Sequence, residues 1–472
     1  MSLLTPFTEF SKDQVSPVTD AFATALNAML AAGPAQQESK PQLVLMGDLL
    51  DLQFSDRAHA TQSGLSFLKA INRDAGFAPE MIATPGNHDH ALWTDARLGL
   101  QHGDQLRSIP PGERVIYRKI TPAFTPEPDA DSRLLTKIAQ DAGFDSVDLR
   151  YPNIGFGDRD KAVVIHHGHF VESPYKLISA LYDQAMDRPR QFLTAEEIAS
   201  ENAGWLDFFW ATLGETGMGD DFYTFYQNML TVGGFRTISA DWSVKIAEKL
   251  SEMLPMSGNL TLRETLRIVA RVGIDAGIGP FLDSERMAVV ETLTTDGWDG
   301  VQWYLDGVVR SQNNAELRPN FPLGDQTQTE DSRVRDLTFI FGHTHKPFAD
   351  RMVSDASPNP VKVFNTGGWT VNGPRFDTAA GAGMVLIDDN LDAVLVRVLG
   401  TPQKGTIRPA FVEPIGGVAE GENQFMIDVA RWLAASSDAW EALASEAEKA
   451  YQVRQRYLLK LTNPDSAKGR VA

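Results

Sequence analysis

The stretch Leu43-Val44-Leu45-Met46-Gly47-Asp48-Leu49-Leu50-Asp51 decides the fold. Four apolar residues followed at once by Gly-Asp read as a short buried strand ending in a polar loop. On its N-terminal side, residues 16–32 predict a helix, with Ser16 as N-cap, Pro17 at the first helical position and Gly33 just past the end. On its C-terminal side come a predicted helix near 61–75 and a strand at 80–84 that runs into Pro85-Gly86. Strand, loop, helix, strand, loop is the grammar of an α/β layer whose functional loops sit at the carboxyl ends of strands.

Working outward, strands are predicted at 146–151 and 162–166, with the turn-rich Gly155 to Asp160 between them, and again at 337–341, 361–364, 383–387 and 393–398. From 171 to 335 the periodicity is mostly helical. That segment holds the aromatic residues Trp205, Phe208, Phe209, Trp210, Phe222, Tyr223, Phe225 and Tyr226. Residues 423–460 predict one long amphipathic helix. The expected organisation is an α/β core split between 1–170 and 336–400, a helical insertion over 171–335, and a C-terminal extension over 401–472. An insertion between two halves of a core emerges near the strand ends, so a substrate cap is one reading and an oligomerisation domain the other. The C-terminal helix is a second candidate for oligomer contacts.

A chain of 472 residues is long for one hydrophobic core. Its net charge of −19 repels nucleic-acid backbones, so no nucleic-acid partner is expected. The absence of cysteine excludes disulfides, zinc-thiolate sites and cysteine nucleophiles. No leader pattern and no membrane-length apolar run is read in the sequence, which makes the cytoplasm the expected compartment.

Seven of the nine histidines fall in three clusters that each follow an apolar run: Gly86-Asn87-His88-Asp89-His90, His166-His167-Gly168-His169 and Gly342-His343-Thr344-His345. His59 and His102 stand outside them and read as surface residues. Mixed Asp, Asn and His side chains delivered from strand ends suit manganese, iron or zinc better than magnesium or calcium. Asp48 can bridge two cations with its two oxygens, and Asn87 offers a neutral carbonyl oxygen. His167 follows the run Ala162 to Ile165. His343 and His345 are two apart, which in an extended segment points both imidazoles one way. Two such ions acidify water and clamp a phosphate. His88 is suited to protonate a leaving oxygen, with Asp89 as its orienting carboxylate.

These segments resemble the calcineurin-like metallophosphoesterase superfamily. Four of its motifs match in order, at Gly47 to Asp51, Gly86 to Asp89, His167-Gly168 and Gly342 to His345. The resemblance implies a four-layer α/β/β/α sandwich with a binuclear centre. It implies Asp48 as the bridging ligand, Asn87, His167 and His343 as the rest of one site, His345 at the other, and His88 as the catalytic histidine. His167 is taken over His166 because it directly precedes Gly168. Asp51, His169 and Asn365 are candidates for supporting or substrate contacts. Asn365-Thr366-Gly367-Gly368-Trp369 resembles a segment of the UDP-2,3-diacylglucosamine pyrophosphatase-like branch, and Leu52-Gln53 after Asp51 departs from the protein Ser/Thr phosphatases. The implied activity is hydrolysis of a small or lipid-linked phosphate ester or pyrophosphate. The family's first motif, Asp-x-His, occurs nowhere in the chain. Up to two ions are therefore expected, one with an incomplete ligand set. A late start, a differently built first site and a degenerate binding or scaffold protein all remain readings.

Overall fold

The computed structural model describes residues 16–33, 40–52, 57–105, 120–121, 123–124, 130–158, 160–186, 193–214, 292–313, 334–354, 357–369, 381–403, 406–416 and 423–462. Helix α1, Pro17–Ala32, begins at Pro17 and stops at Gly33 as the sequence predicts, burying Val18, Phe22, Leu26 and Met29 along one face. The next elements are β1 (Leu43–Leu45), α2 (Arg57–Ile71), β2 (Glu80–Ala83), α3 (Ala91–Gln105), α4 (Arg133–Asp141) and β3 (Ser146–Leu149). Strands β1, β2 and β3 form a parallel sheet in that order, with Val44 opposite Ile82 and Ile82 opposite Asp148.

A second sheet has the order β4-β5-β6-β8-β7, from β4 (Asn153–Asp158), β5 (Lys161–His166), β6 (Asp336–Phe341), β7 (Phe348–Met352) and β8 (Val361–Asn365). Its centre, β5-β6-β8, is parallel, and β4 and β7 run antiparallel at the edges. A third sheet centres on β10 (Ala393–Gln403), flanked by β9 (Ala382–Ile387) on one side and by β11 (Thr406–Arg408) and β12 (Phe411–Glu413) in turn. Helices α5 (Leu177–Met186), α6 (Ala195–Gly214) and α7 (Thr295–Asn313) lie in the 171–335 segment, and α8 (Gln424–Ala435) and α9 (Ser437–Thr462) close the chain.

Two apolar clusters lie on opposite faces of the short strands. Ile82 of β2 and Leu395 of β10 meet Ile154, Val163, Ile165, Ile340 and Phe364 of the five-stranded sheet in an inner core. Leu43 and Leu45 of β1 and Met384 and Leu386 of β9 pack instead into the cluster that holds α1 and α9. The alternation is the period-two signature of strands covered on both faces.

The structure differs from the sequence reading in several places. The helix near 61–75 lies at Arg57–Ile71. Gly155 to Asp160 is mostly strand, because six residues of β4 pair with β5 and the ladder outweighs the weak strand preference of glycine. The predicted 423–460 helix is two helices. Ser436 breaks it by donating its hydroxyl to the Trp432 carbonyl at 2.9 Å while accepting from Trp440 Nε1 at 3.0 Å, the usual competition of a serine with the backbone ladder. Strands β7, β11 and β12 and helices α3 and α4 stand where the sequence reading expects no element. The described parts of 171–335 are helical and pack on the core: Tyr304 Oη donates to Asn153 at 3.0 Å, and Trp298 meets Phe348. Phe222, Tyr223, Phe225 and Tyr226 lie outside the described residues. Among the described residues, no helix is long and apolar enough to cross a membrane.

Candidate metal centre

Each ligand candidate sits in the loop that leaves a strand: Asp48 after β1, Asn87 after β2, His167 after β5 and His343 after β6. The glycines of these loops set the approach. A Cβ on Gly47 would stand 2.4 Å from the Gly86 backbone nitrogen, and one on Gly86 would stand 2.2 Å from Asp48 Oδ1. Two loops from neighbouring strands therefore meet backbone to backbone, which only glycine permits. Asp89 ties them together from below. Its carboxylate accepts from the backbone N–H groups of Gly86 at 2.7 Å, Asp48 at 3.1 Å and Leu50 at 3.3 Å.

Four acceptor atoms converge in this cluster. His167 Nε2 lies 3.2 Å from Asp48 Oδ2, 3.0 Å from Asn87 Oδ1 and 3.3 Å from His343 Nδ1. The partners on the far side of each group fix which atom is which. His167 Nδ1 faces the Met46 carbonyl at 2.8 Å, and a carbonyl only accepts, so Nδ1 carries the hydrogen. His343 Nε2 faces the Glu172 carboxylate at 3.2 Å and carries the hydrogen in the same way. Asn87 Nδ2 donates to Tyr175 Oη at 3.3 Å, which turns Oδ1 inward. Each neutral group thus aims a lone pair at one point, and only a cation or a proton there relieves the repulsion. The donor atoms of Asp48, His167 and His343 lie within 4.8 Å of one another, and this buried group could hold a metal ion. The residues present fit such an ion: two imidazole nitrogens, a carboxylate and an amide oxygen are a borderline donor set.

The electrostatics agree with the geometry. Burial works against an imidazolium at His167, but the Asp48 carboxylate beside it outweighs burial and raises the pKa. Burial likewise works against the charge of Asp48, yet His167 and His88 hold its carboxyl well below the usual range. Asp89 is pushed up by burial and then by the charge of Asp48. Among the described residues, the non-glycine positions with positive φ include Asp48, His343 and His345, and strain of this kind gathers where a site must be held in one shape.

Several assignments from sequence change. His88 Nδ1 contacts Asp51 Oδ1 at 3.3 Å, so its orienting carboxylate is Asp51; Asp89 is engaged with backbone amides. Residues 343–345 are not extended. His343 and His345 both have left-handed φ, of 63° and 64°, and Thr344 N donates to Gly342 O across a tight turn. The two imidazoles therefore part. His343 joins Asp48 and His167, whereas His345 lines the adjoining cavity against Gly368. Asn365 donates to Gly342 O at 3.1 Å and Thr344 Oγ1 at 2.7 Å, so it shapes the loop that carries His343. His169 is wholly buried behind the cluster, its ring against Phe170, and its pKa is driven well down by burial and by the neighbouring histidines. His90 is held between Asp207 at 2.7 Å and Tyr151 at 3.1 Å. His166 accepts from Gly168 N and packs on Tyr304.

Sequence reasoning missed Glu172 and Tyr175. Both stand at the start of the 171–335 segment, and neither a motif nor a periodicity marks them. Their signal is the fold alone: a short 3-10 turn after β5 carries them back over His343 and Asn87. The cluster lies at one end of a cavity of about 1020 Å³ between α1, β1, β9 and the five-stranded sheet. Comparison with family models finds no match, and neither curated proteins nor solved structures give one.

Proposed function

We propose that this chain is a metal-dependent phosphohydrolase, a phosphoesterase or pyrophosphatase of the calcineurin-like metallophosphoesterase type. The observation that carries the reading is the convergence of four lone pairs from Asp48, Asn87, His167 and His343 on one point. A divalent ion bound there supplies charge for a phosphoryl group and acidifies water. Asp48, Asn87, His167 and His343 hold it, and Glu172 and the Met46 carbonyl fix the ring orientation of the two histidines. His88, pinned through Nδ1 by Asp51, passes a proton from Nε2 to the leaving oxygen. Among the described residues, one group of three metal-capable Asp, Glu and His side chains occurs, so a single ion is expected in this chain. His345, outside that group, lines the cavity and would be a candidate to hold a second ion.

The fold reading is the same family's α/β/β/α sandwich. Its support is the inner core between β2 and β10 on one side and β4 to β8 on the other, with α1, α2 and α9 outside the first layer and α7 outside the second. The substrate is a small or lipid-linked phosphate. The test is a panel of phosphomonoesters, phosphodiesters and pyrophosphates given to protein stripped of metal and reloaded with manganese, zinc or iron. Hydrolysis that returns with metal and is absent from His343→Ala supports the reading. Metal binding without hydrolysis of any panel member gives the site to the binding or scaffold reading instead.

A further inference from the structure

None of the four ligand candidates lies on α6, yet two side chains of that helix reach the segments around them. Asn202, wholly buried, works toward α5. Its Oδ1 accepts from Ile178 N at 3.0 Å and Ser179 N at 3.4 Å, two of the amides that open α5 and lack a partner within the helix. Its Nδ2 donates to Ser179 Oγ at 2.7 Å. The 3-10 turn Ser173–Lys176, which carries Tyr175 over Asn87, runs directly into α5, and Glu172 stands just before that turn.

Asp207 works toward α3. Its Oδ1 lies 2.7 Å from His90 Nδ1, and Thr94 Oγ1 donates to the same carboxylate at 3.2 and 3.0 Å. A carboxylate accepts, so Nδ1 carries the hydrogen. His90 Nε2 faces Tyr151 Oη at 3.1 Å, so both ring nitrogens are engaged and the ring has one orientation. Tyr151 in turn stacks on Trp93, with centroids 5.2 Å apart. His90 and Thr94 are four residues apart, on one side of the first turn of α3. The His90 carbonyl opens that turn by accepting from Trp93 N and Thr94 N. Asn87 and His88 are the residues that lead into it.

Helix α6 is wedged between the two segments. At ~100° per residue, Asn202 and Asp207 point about 140° apart, which gives each its own neighbour. Asn87 is where the two grips meet: Tyr175 takes its side-chain N–H at 3.3 Å, and His90, three residues on, anchors its backbone. The charge at Asp207 belongs to the arrangement. Burial works against it, but the hydrogen bonds from His90 and Thr94 and the nearby Arg97 outweigh burial and hold the carboxyl below its usual range.

We infer that Asp207 is a positioning residue of the metal centre, which acts through His90 and Thr94 to set the loop of Asn87 and His88, while Asn202 on the same helix sets the turn of Glu172 and Tyr175. The 171–335 segment then builds the centre as well as lying beside it. This rests on the reading of Asp48, Asn87, His167 and His343 as ligands.

Cobalt(II) alone, without substrate, is the probe, because its visible absorption reports the geometry and kind of its donors. Protein stripped of metal is titrated with it. Asp207→Ala should raise the half-saturating cobalt about tenfold, as removal of a partner behind a ligand does, and should change the absorption band of the loaded protein. Asp207→Asn keeps an acceptor oxygen for His90 and should recover most of the affinity. Thr94→Val should weaken binding by a smaller factor and add nothing in the Asp207→Ala background, because the two form one grip. It carries the test by itself if Asp207→Ala does not fold. Ala199→Gly loosens α6 by about 1 kcal/mol while leaving both grips in place, and its affinity should match wild type. Wild-type affinity and an unchanged band in Asp207→Ala, or in Thr94→Val, overturn the inference and leave the metal centre standing. An Ala199→Gly loss as large as that of Asp207→Ala also overturns it, since the effect would then come from helix stability alone. Wild type that takes up no cobalt removes the centre itself, and this inference with it.

Discussion

Loading the cluster with a divalent cation should raise the unfolding temperature, and the size of the rise follows from the geometry. Without an ion, Asp48 Oδ2, Asn87 Oδ1 and His343 Nδ1 each lie 3.0–3.3 Å from His167 Nε2. An ion that binds only the folded chain adds about 2.7 kcal/mol of stability at a hundred times its dissociation constant. Unfolding entropy is ~2.1 cal/mol/K per residue, so for 472 residues unfolding together the rise is about 3 °C. The assay is a thermal melt of chelator-treated protein titrated with manganese, zinc and iron. Glu172→Gln makes it specific. The variant keeps the shape but weakens the carboxylate that fixes His343, and its titration midpoint should move to about 10- to 100-fold higher metal. His59→Ala, away from the cluster, should leave the midpoint in place. A melt that stays flat up to millimolar metal, or a Glu172→Gln variant with an unmoved midpoint, refutes the lone-pair argument.

His88→Ala should leave that thermal shift intact and slow turnover by about 10²- to 10⁴-fold, with Asp51→Asn falling between it and the wild type; loss of the shift in His88→Ala would place the residue among the ligands. Asn365→Ala removes donors to Gly342 and Thr344 and frees a buried carbonyl, costing about 1–3 kcal/mol in a denaturant titration and weakening metal binding, because the loop it shapes carries His343. The pH dependence has a definite sign. Burial lowers and Asp48 raises the pKa of His167, with a net rise, so the increment of stability it gives the metal-free protein is full below about pH 6.5 and is lost as the pH climbs through the raised value. The ion displaces that proton, so the metal-induced rise in unfolding temperature should grow with pH across the same window, and a rise that shrinks contradicts the assignment. Arg263, Arg267 and Arg271 recur every four residues and, in a substrate cap, would hold an anionic substrate; they lie outside the described residues, and converting all three to Gln tests the role by a raised KM at unchanged kcat.

The positions that converge in the cluster were legible in the sequence because each lies in a loop after an apolar run, and a strand that leads into Gly-Asp, Gly-Asn-His or Gly-His leaves little choice of geometry. Helix α1 was legible for the same local reason, with Pro17 and Gly33 at its two ends. What the sequence hid depends on distance along the chain. Asp51 as the partner of His88, Glu172 as the partner of His343 and Asp207 as the partner of His90 are 37, 171 and 117 residues from what they hold. No local pattern encodes such a pairing. The parting of His343 and His345 was hidden differently: period-two reasoning assumes an extended backbone, and both residues are left-handed.

That left-handed turn bears on how the site works. Asp48, His343 and His345 are all held at positive φ, a conformation that costs a non-glycine residue of order 1–3 kcal/mol. The surroundings over-determine it: Asp89 grips the loop of Asp48 through three amides, and Asn365 grips the loop of His343 through Gly342 and Thr344. Both grips come from residues that touch no ligand atom of the cluster in their own right. Rigidity is therefore imposed from behind, by a carboxylate that accepts from three backbone amides and a carboxamide that donates to a backbone carbonyl and a threonine hydroxyl. The lone pairs are fixed in place before an ion arrives, so little ordering remains to be done on binding. The same reasoning separates the two histidines of the third cluster. His343 is clamped on one side by Glu172 and on the other by its neighbours in the cluster, whereas His345 stands outside that group with its ring against Gly368.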